Sequence, residues 1–488
     1  MLLTLCMIVR DEAEDLAGCL RSVEGLVDEM VIADTGSRDR TRDIAQSFGA
    51  TVVDAPWQDD FAQARNAALA PARGLWVLAL DADERFEGDP AAVRRWLKRT
   101  RAVGAQVPIR NLLEGGREER HSAVRIFRRL PGVQYERRLH EQVVGSLIAA
   151  RPTGLISAAP FSIVHHGYRA AFLADRQKRE RNLRLAQEEV RDRPDDPFAA
   201  YALGVELLGQ RDFAAAAGEL QRARRLTQGV EPWQSRLFKL EASALWQLGE
   251  EQSALALTRK ALRHFPRFTD LHYLAGVLLA RQGFPKEAER HLRRAIALGP
   301  AATPPFDGAD PRLGGPQAYH MLGMVLGDLG RGEEAIAALR EALRLEPGDL
   351  AHVQTFVRMS LATGRAVATL WQSPPPSALE AAAALYRLER WSDALDAFAA
   401  ARSAQPNLPA HLHLLEAICH ARCGAAGPAL RHFKAALPLP PSRRSEAVEQ
   451  AAWALGLRGS GEVAAAGAAP AVARAVAEME AAMASPPG

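Results

Sequence analysis

An apolar run from Trp76 to Leu80 ends in Asp81-Ala82-Asp83-Glu84, and the two aspartates are the residues best placed to do chemistry. A strand alternates its side chains with period two, so Asp81 and Asp83 emerge on one side. Two carboxylates at the carboxyl end of a buried strand suit a hard divalent cation, Mg²⁺ or Mn²⁺, and such a cation holds a diphosphate. In open α/β sheets, ligands bind beyond that end of the strands. The same spacing also fits a solvated turn, so the pair gains weight only from its surroundings. A second pair, Cys419 and Cys423, lies four apart on an expected helix. No further ligand is spaced to complete a metal shell there, and the pair reads as core packing.

Elements must position such residues, and the gross numbers allow for them. A chain of 488 residues accommodates two or more domains. A hydrophobic fraction of 48% and a charged fraction of 24% are ordinary for soluble globular protein. A formal net charge of +3 gives no ground for a nucleic-acid partner. Four cysteines in so long a chain do not make a disulfide framework and fit a reducing cytoplasm, the expected location. Met1 to Val9 is apolar but is followed at once by Arg10-Asp11-Glu12, so it reads as a first strand rather than a secretory leader. No run approaches the roughly 20 apolar residues of a membrane span, and no transmembrane segment is expected.

Residues 1–168 alternate strands and helices. Strands are expected at Leu2–Val9, Glu29–Ala33, Ala50–Asp54 and Leu75–Leu80, with helices at Glu12–Val23, Thr41–Phe48 and Phe61–Leu69. That alternation predicts a mostly parallel sheet with helices on both faces. Ala105–Leu113 and Ala123–Arg129 flank a loop with Gly115-Gly116, so part of the sheet is expected to be antiparallel. Arg169 to Arg193 reads as one long amphipathic helix, and 169–196 as the link to a second half of different grammar.

From Pro197 onward strands vanish and a repeat appears. Ala275-Gly276, Ala288, Leu292, Ala295 and Pro300 recur as Leu322-Gly323, Ala335, Leu339, Ala342 and Pro347, and more loosely as Leu203-Gly204, Ala216, Leu220 and Ala223. Ala254 and Ala288 are 34 residues apart. A small residue on each helix lets its partner approach closely, and proline ends the second helix. The pattern resembles the tetratricopeptide repeat. About four repeats are expected over 197–350, an irregular break over 351–376, further copies over 377–443, and a terminal helix with an Ala-rich tail over 444–488.

Four blocks in the first half occur in order: Leu5-Cys6-Met7-Ile8-Val9-Arg10-Asp11-Glu12; Val31-Ile32-Ala33-Asp34-Thr35-Gly36-Ser37; Asp60-Phe61-Ala62 with Ala64-Arg65-Asn66; and Asp81-Ala82-Asp83-Glu84. Together they resemble a family 2 glycosyltransferase of the GT-A fold, in the branch where such a domain precedes tetratricopeptide repeats. The fold class implied is an α/β N-terminal GT-A domain (Rossmann-like, with a mixed sheet) followed by an all-α TPR solenoid. The resemblance places Asp34 against the nucleobase or ribose, although Asp34-Thr35-Gly36-Ser37 also reads as a turn. It places Arg65 near the phosphates, where a salt bridge to Asp59 or Asp60 is the alternative. Asp83 would hold the metal and Asp81 the ribose, or the metal through water. The family usually carries Asn before Glu12. Here it is Asp11, whose charge would repel phosphate, so Asp11 and Glu12 are expected on the uracil or ribose side. His140-Glu141 matches an acceptor-side motif, with Glu141 or His140 as the base. His140 filling the sheet and Glu141 pairing with Arg137 or Arg138 are the alternatives. His165-His166-Gly167-Tyr168 closes the domain, where either histidine would complete the metal shell or hold a phosphate oxygen, His166 slightly favoured as the metal ligand.

The resemblance therefore implies an inverting transfer from a nucleotide sugar, a UDP-sugar by preference, with Mn²⁺ or Mg²⁺ neutralising the leaving diphosphate. The solenoid would present a peptide or protein acceptor. A repeat scaffold with a relic enzyme domain, and a transferase for a lipid-linked or cell-envelope glycan, are the rival readings.

Overall fold

The computed structural model describes residues 1–112, 118–166, 172–229, 231, 233–299, 310–371, 376–405 and 410–435. The expected Gly115-Gly116 loop, Gly167-Tyr168, Pro300 and the 444–488 tail lie outside them. The chain divides into two compact units, Met1–Leu279 with Arg294–Gly314, and Ala280–Arg293 with the residues from Gly315 onward.

The first unit begins with β1 (Leu3–Val9), α1 (Leu16–Ser22), β2 (Glu29–Asp34), α2 (Thr41–Ser47), β3 (Thr51–Asp54), α3 (Phe61–Leu69) and β4 (Trp76–Ala79). It continues with β5 (Glu84–Glu87), α4 (Pro90–Arg99), β6 (Gly104–Leu112), β7 (Glu118–Arg128), α5 (Val144–Ala150), β8 (Ile156–Ala158) and β9 (Ser162–His165). The sheet runs β3-β2-β1-β4-β7-β6-β9-β5, with β8 beside β6. β1 pairs parallel with β2 and β4, and β2 with β3. β7 runs antiparallel to both β4 and β6. The mixed sheet is as expected. Order reverses at β1, so a topological switch point opens beyond the carboxyl ends of β1 and β4, where Glu12 and Asp81 to Asp83 lie.

Leu5, Met7, Leu16, Leu20, Trp76 and Leu78 are sealed in one core, and Cys6, Val31, Ala33, Val77 and Phe127 in another, as period-two strands buried on both faces require. α1 starts four residues later than expected. The backbone N–H groups of Asp11, Glu12 and Ala13 donate to Ser37 Oγ (3.0 Å), Thr41 Oγ1 (2.7 Å) and Asp39 Oδ2 (3.0 Å), which holds them in a loop. The return from Asp83 through β5, α4 and β9 was not anticipated in detail, because those strands are only four residues long.

Helix α6 (Phe172–Asp192) is the expected long link. α7 (Pro197–Gly209) starts on an Asp196 cap with Pro197 at its first turn. It is followed by α8 (Phe213–Leu226), α9 (Gln234–Gln247), α10 (Glu251–His264), α11 (Thr269–Arg281) and α12 (Pro285–Leu298). Then come α13 (Pro316–Asp328), α14 (Gly332–Leu345), α15 (Leu350–Ala362), α16 (Ala378–Arg387), α17 (Trp391–Ala404), α18 (Ala410–Arg422) and α19 (Ala426–Ala435). The irregular break expected over 351–376 is corrected at its start. α15 occupies 350–362, because Asp349 caps it and Val353, Phe356 and Val357 form an apolar stripe at helical spacing.

The repeated small residue is where the helices meet. A Cβ on Gly323 would stand 2.6 Å from Leu339 Cγ, and one on Gly204 2.6 Å from Leu220 Cγ. Glycine inside a helix costs about 1 kcal/mol against alanine. Overpacking costs about 1–3 kcal/mol, so contact outweighs propensity. Gly323→Val is expected to destabilise by about 1–3 kcal/mol in urea unfolding followed by circular dichroism.

Candidate active site

The carboxyl edge of the sheet gathers acids from three segments. Asp83 Oδ2 lies 3.0 Å from Nε2 of His165, at the end of β9. The opposite ring nitrogen of His165, Nδ1, is 3.0 Å from Oδ1 of the buried Asn111. Burial opposes the imidazolium, but the hydrogen bond and charge of Asp83 hold the pKa of His165 above its ordinary value. His165 therefore takes the place expected for His166. His165 ends β9, and its register opposite Glu84 and Asn111 turns its ring to Asp83. His166 instead donates its backbone N–H to the carbonyl oxygen of Asp83 at 2.9 Å.

Asp81 is tied to two guanidiniums, Arg65 at 2.9 Å and Arg125 at 3.2 Å. Burial pushes its carboxyl up, yet Arg65 and Arg125 together hold it well below the carboxylate range. Arg65 also bonds Glu141 through Nε, and Arg125 bonds Glu84 at 2.8 Å. Arg65 is thus bridged to Asp81 and Glu141, not to Asp59 or Asp60. Asp59 pairs with Arg184 of α6 at 2.7 Å, and Asp60 caps α3 by accepting the Gln63 N–H. Asn66 clamps the chain at Tyr135, donating to its carbonyl oxygen (2.9 Å) and accepting its N–H (2.8 Å).

Asp34 is buried, accepts the Ser37 N–H and pairs with Arg42 at 3.0 Å, so the turn reading of this block is realised. Asp11 sits at φ 55°, a left-handed conformation that Asn and Asp tolerate, and accepts the Arg38 N–H at 2.7 Å. Backbone geometry thus accounts for a short polar residue before Glu12. Burial and the charges of Asp83, Asp15 and Asp81 push the Glu12 carboxyl up to about 7. His140 does not fill the sheet. Its Nε2 lies 3.0 Å from Glu206 on α7, and Arg137 and Arg138 pair with Asp196 and Asp192.

Arg125, Asn111 and Glu206 were not singled out beforehand. Arg125 stands alone among Val124, Ile126 and Phe127, and a lone guanidinium in an apolar strand is a readable signal of a buried acid. Glu206 carried no such signal.

The edge suits a divalent cation. Among the described residues, Glu12, Asp15, Asp81, Asp83, Glu84 and Glu141 outnumber the arginines they pair with, Arg65, Arg85 and Arg125, even with Lys178 near Glu12. That negative excess would repel a diphosphate unless a cation intervened. Ligands at about 2.1 Å from an octahedral ion stand about 3.0 Å apart, the spacing of Asp83 Oδ2 and His165 Nε2. Asn111 behind Nδ1 is the kind of support that orients a ligating imidazole.

The sequence pattern of Glycosyl transferase family 2 matches residues 4–156, and that of the tetratricopeptide repeat matches residues 316–349, which span α13 and α14. Residues 4–156 are a family 2 glycosyltransferase domain. A TPR repeat-containing protein of Synechococcus elongatus is 39% identical over 218 residues, 44% of this chain and 54% of that protein. The SPbeta prophage-derived glycosyltransferase SunS of Bacillus subtilis is 26% identical over 218 residues, 42% of this chain and 49% of that protein. The chain spans about half the length of these curated relatives. Among solved structures, a tetratricopeptide repeat protein from Parabacteroides merdae overlaps with a TM-score of 0.34 at 13% identity, over 57% of this chain and 94% of that chain, too slight a likeness to argue from.

Removing one partner of a buried pair leaves an uncompensated charge, at about 3–5 kcal/mol. Arg125→Met is expected to lower stability by about that amount in urea unfolding, since Glu84 is nearly fully buried.

Proposed function

We propose that the glycosyltransferase domain moves a sugar, by a single displacement with inversion, from a UDP-sugar to a peptide or protein acceptor presented with the help of the helical repeats. The observation that carries this reading is the Asp83–His165 pair at the switch point, set among carboxylates in excess of their guanidinium partners. Two relatives that bear the name glycosyltransferase support sugar transfer.

In this reading Asp83 and His165 hold Mn²⁺ or Mg²⁺, which supplies neutralisation of the leaving diphosphate. Asp81, fixed by two arginines, accepts hydrogen bonds from ribose hydroxyls. Asp34 and Glu12 line the nucleoside side. Glu141 is held by Arg65, which makes it the residue that orients Arg65. His140 is the better base. Glu206 accepts the N–H of one ring nitrogen, leaving the other to take the acceptor's proton as its oxygen or sulfur attacks the anomeric carbon. The helical repeats thereby contribute a positioning residue to the transfer. Peptide acceptors fit repeat helices, which offer extended surfaces. The four cysteines are free thiols, which fits a cytoplasmic setting, and no described helix is long and apolar enough to cross a membrane.

Titration calorimetry with UDP in the presence of Mn²⁺ tests the donor site. The chain is expected to bind UDP only with the metal, and Asp83→Ala to abolish binding. Failure of the wild-type chain to bind UDP, GDP or dTDP would turn the reading towards a repeat scaffold.

Once an acceptor is in hand, His140→Ala is expected to lower kcat by about 10²–10⁴-fold with KM for the donor unchanged. Glu206→Gln should lower kcat less, and Glu206→Asp should restore part of it. A KM effect alone would point to a structural contact.

A further inference from the structure

The second unit holds a cluster that glycosyl transfer does not use. Helices α18 and α19 bring together His413 and Glu416, three apart on one helix, and His432 on the other. His413 Nδ1 lies 3.2 Å from Glu416 Oε2, His432 Nδ1 lies 3.1 Å from the same oxygen, and the two Nδ1 atoms are 3.2 Å apart.

Protons on both ring nitrogens would serve the two edges to Oε2 but set two N–H groups against each other at 3.2 Å across the third, and a single proton leaves one edge without a donor. One cation at the centre satisfies all three. Four ligands at about 2.0–2.2 Å from a tetrahedral zinc stand about 3.3 Å apart, close to the edges found here. Two imidazoles and a carboxylate are a zinc donor set, softer than the all-oxygen shells of Mg²⁺ or Ca²⁺.

The surroundings match a built site. Glu416 is only 1% exposed, and Arg402 of α17 donates to both its oxygens, at 3.0 Å to Oε2, as outer groups fix a ligating carboxylate. The His420 ring stacks on His432 with centroids 5.2 Å apart and limits its rotation. His413 and His432 keep 24% and 19% exposure, which gives an ion a way in and leaves a fourth position for water.

We propose that His413, Glu416 and His432 bind one Zn²⁺ that staples α19 to α18. The site belongs to the second unit and stands whether or not the transferase reading does.

The test uses the full chain, stripped by chelator, dialysed against buffered Zn²⁺ and assayed for zinc per chain. The wild-type chain is expected to carry one more zinc than the His413→Gln/His432→Gln double variant, and Asp83→Asn to retain that zinc. Equal zinc in the wild type and the double variant, or none in either, overturns the proposal. Should the double variant lose helicity, Co²⁺ in the Asp83→Asn chain decides. Visible ligand-field bands of tetrahedral cobalt support the site, and their absence rejects it.

Discussion

The bridge that Arg65 makes between Asp81 and Glu141 is the contact on which the carboxyl edge depends. It joins a helix, a strand end and the loop after β7. An ionised carboxylate taken out of water costs several kcal/mol, repaid only by close, well-formed partners. Arg65 cannot shed its proton, and with Arg125 it holds the Asp81 carboxyl well below the carboxylate range. Arg125 pairs with both Asp81 and Glu84 from the sheet, although burial pushes the Glu84 carboxyl up. With those acids spoken for, Asp83 is left to a single imidazole, and one residue of the acidic run is free to take a ligand while its neighbours hold the frame.

The same helix fixes the acceptor-side loop. Asn66, next to Arg65, holds the Tyr135 backbone by a reciprocal pair of hydrogen bonds, and Arg65 lies 5.7 Å from the Tyr135 ring centroid. Beyond Tyr135 the loop meets the helical half. Trp57, Phe61, Leu139, Leu185, Leu203 and Leu207 form one apolar cluster, rimmed by the Arg137–Asp196 and Arg184–Asp59 pairs. Burial of that cluster packs the first repeat helix onto the sheet domain rather than leaving it an appendage. It also explains why Glu206 can reach His140. A rigid apolar seam, not a flexible tether, sets the distance between helix and loop.

Residues whose meaning lies in local period were legible. The strands from Leu3 to Ala79, helix α3 with both its ends, and the Leu-Gly positions of the repeats follow from spacings of two, three and four. Asp81 and Asp83 were visible because a strand of continuous apolar residues ends at them. What stayed hidden depends on register and distance. Which of His165 and His166 faces Asp83 is decided by the pairing of β9 with β5 and β6, which places His165 opposite Glu84 and Asn111. Glu206 lies 66 residues from the histidine it meets. The late start of α1 turns on three side chains from the next loop, and no helix propensity reveals that. Around Cys419 and Cys423, thiol spacing drew the reading towards packing, while the groups that converge were His413, Glu416 and His432 on two helices.

That convergence adds a polar contact to helices that otherwise pair through apolar side chains. α13 and α14 meet through Leu322, Val325, Leu339 and Leu343, long side chains closing over a glycine. Among the described residues of α18 and α19, the buried apolar side chains are Leu412, Ala417, Ile418, Cys419 and Ala429. Polar groups at that seam add a demand of their own, since a buried carboxylate is repaid only by close, well-formed partners such as Arg402. A central cation changes the balance in one step. It gives Glu416 and both imidazoles a common partner and ties the two helices at one point. It also makes the order of the α18–α19 pair depend on metal supply, through groups remote in sequence from the sugar-transfer edge.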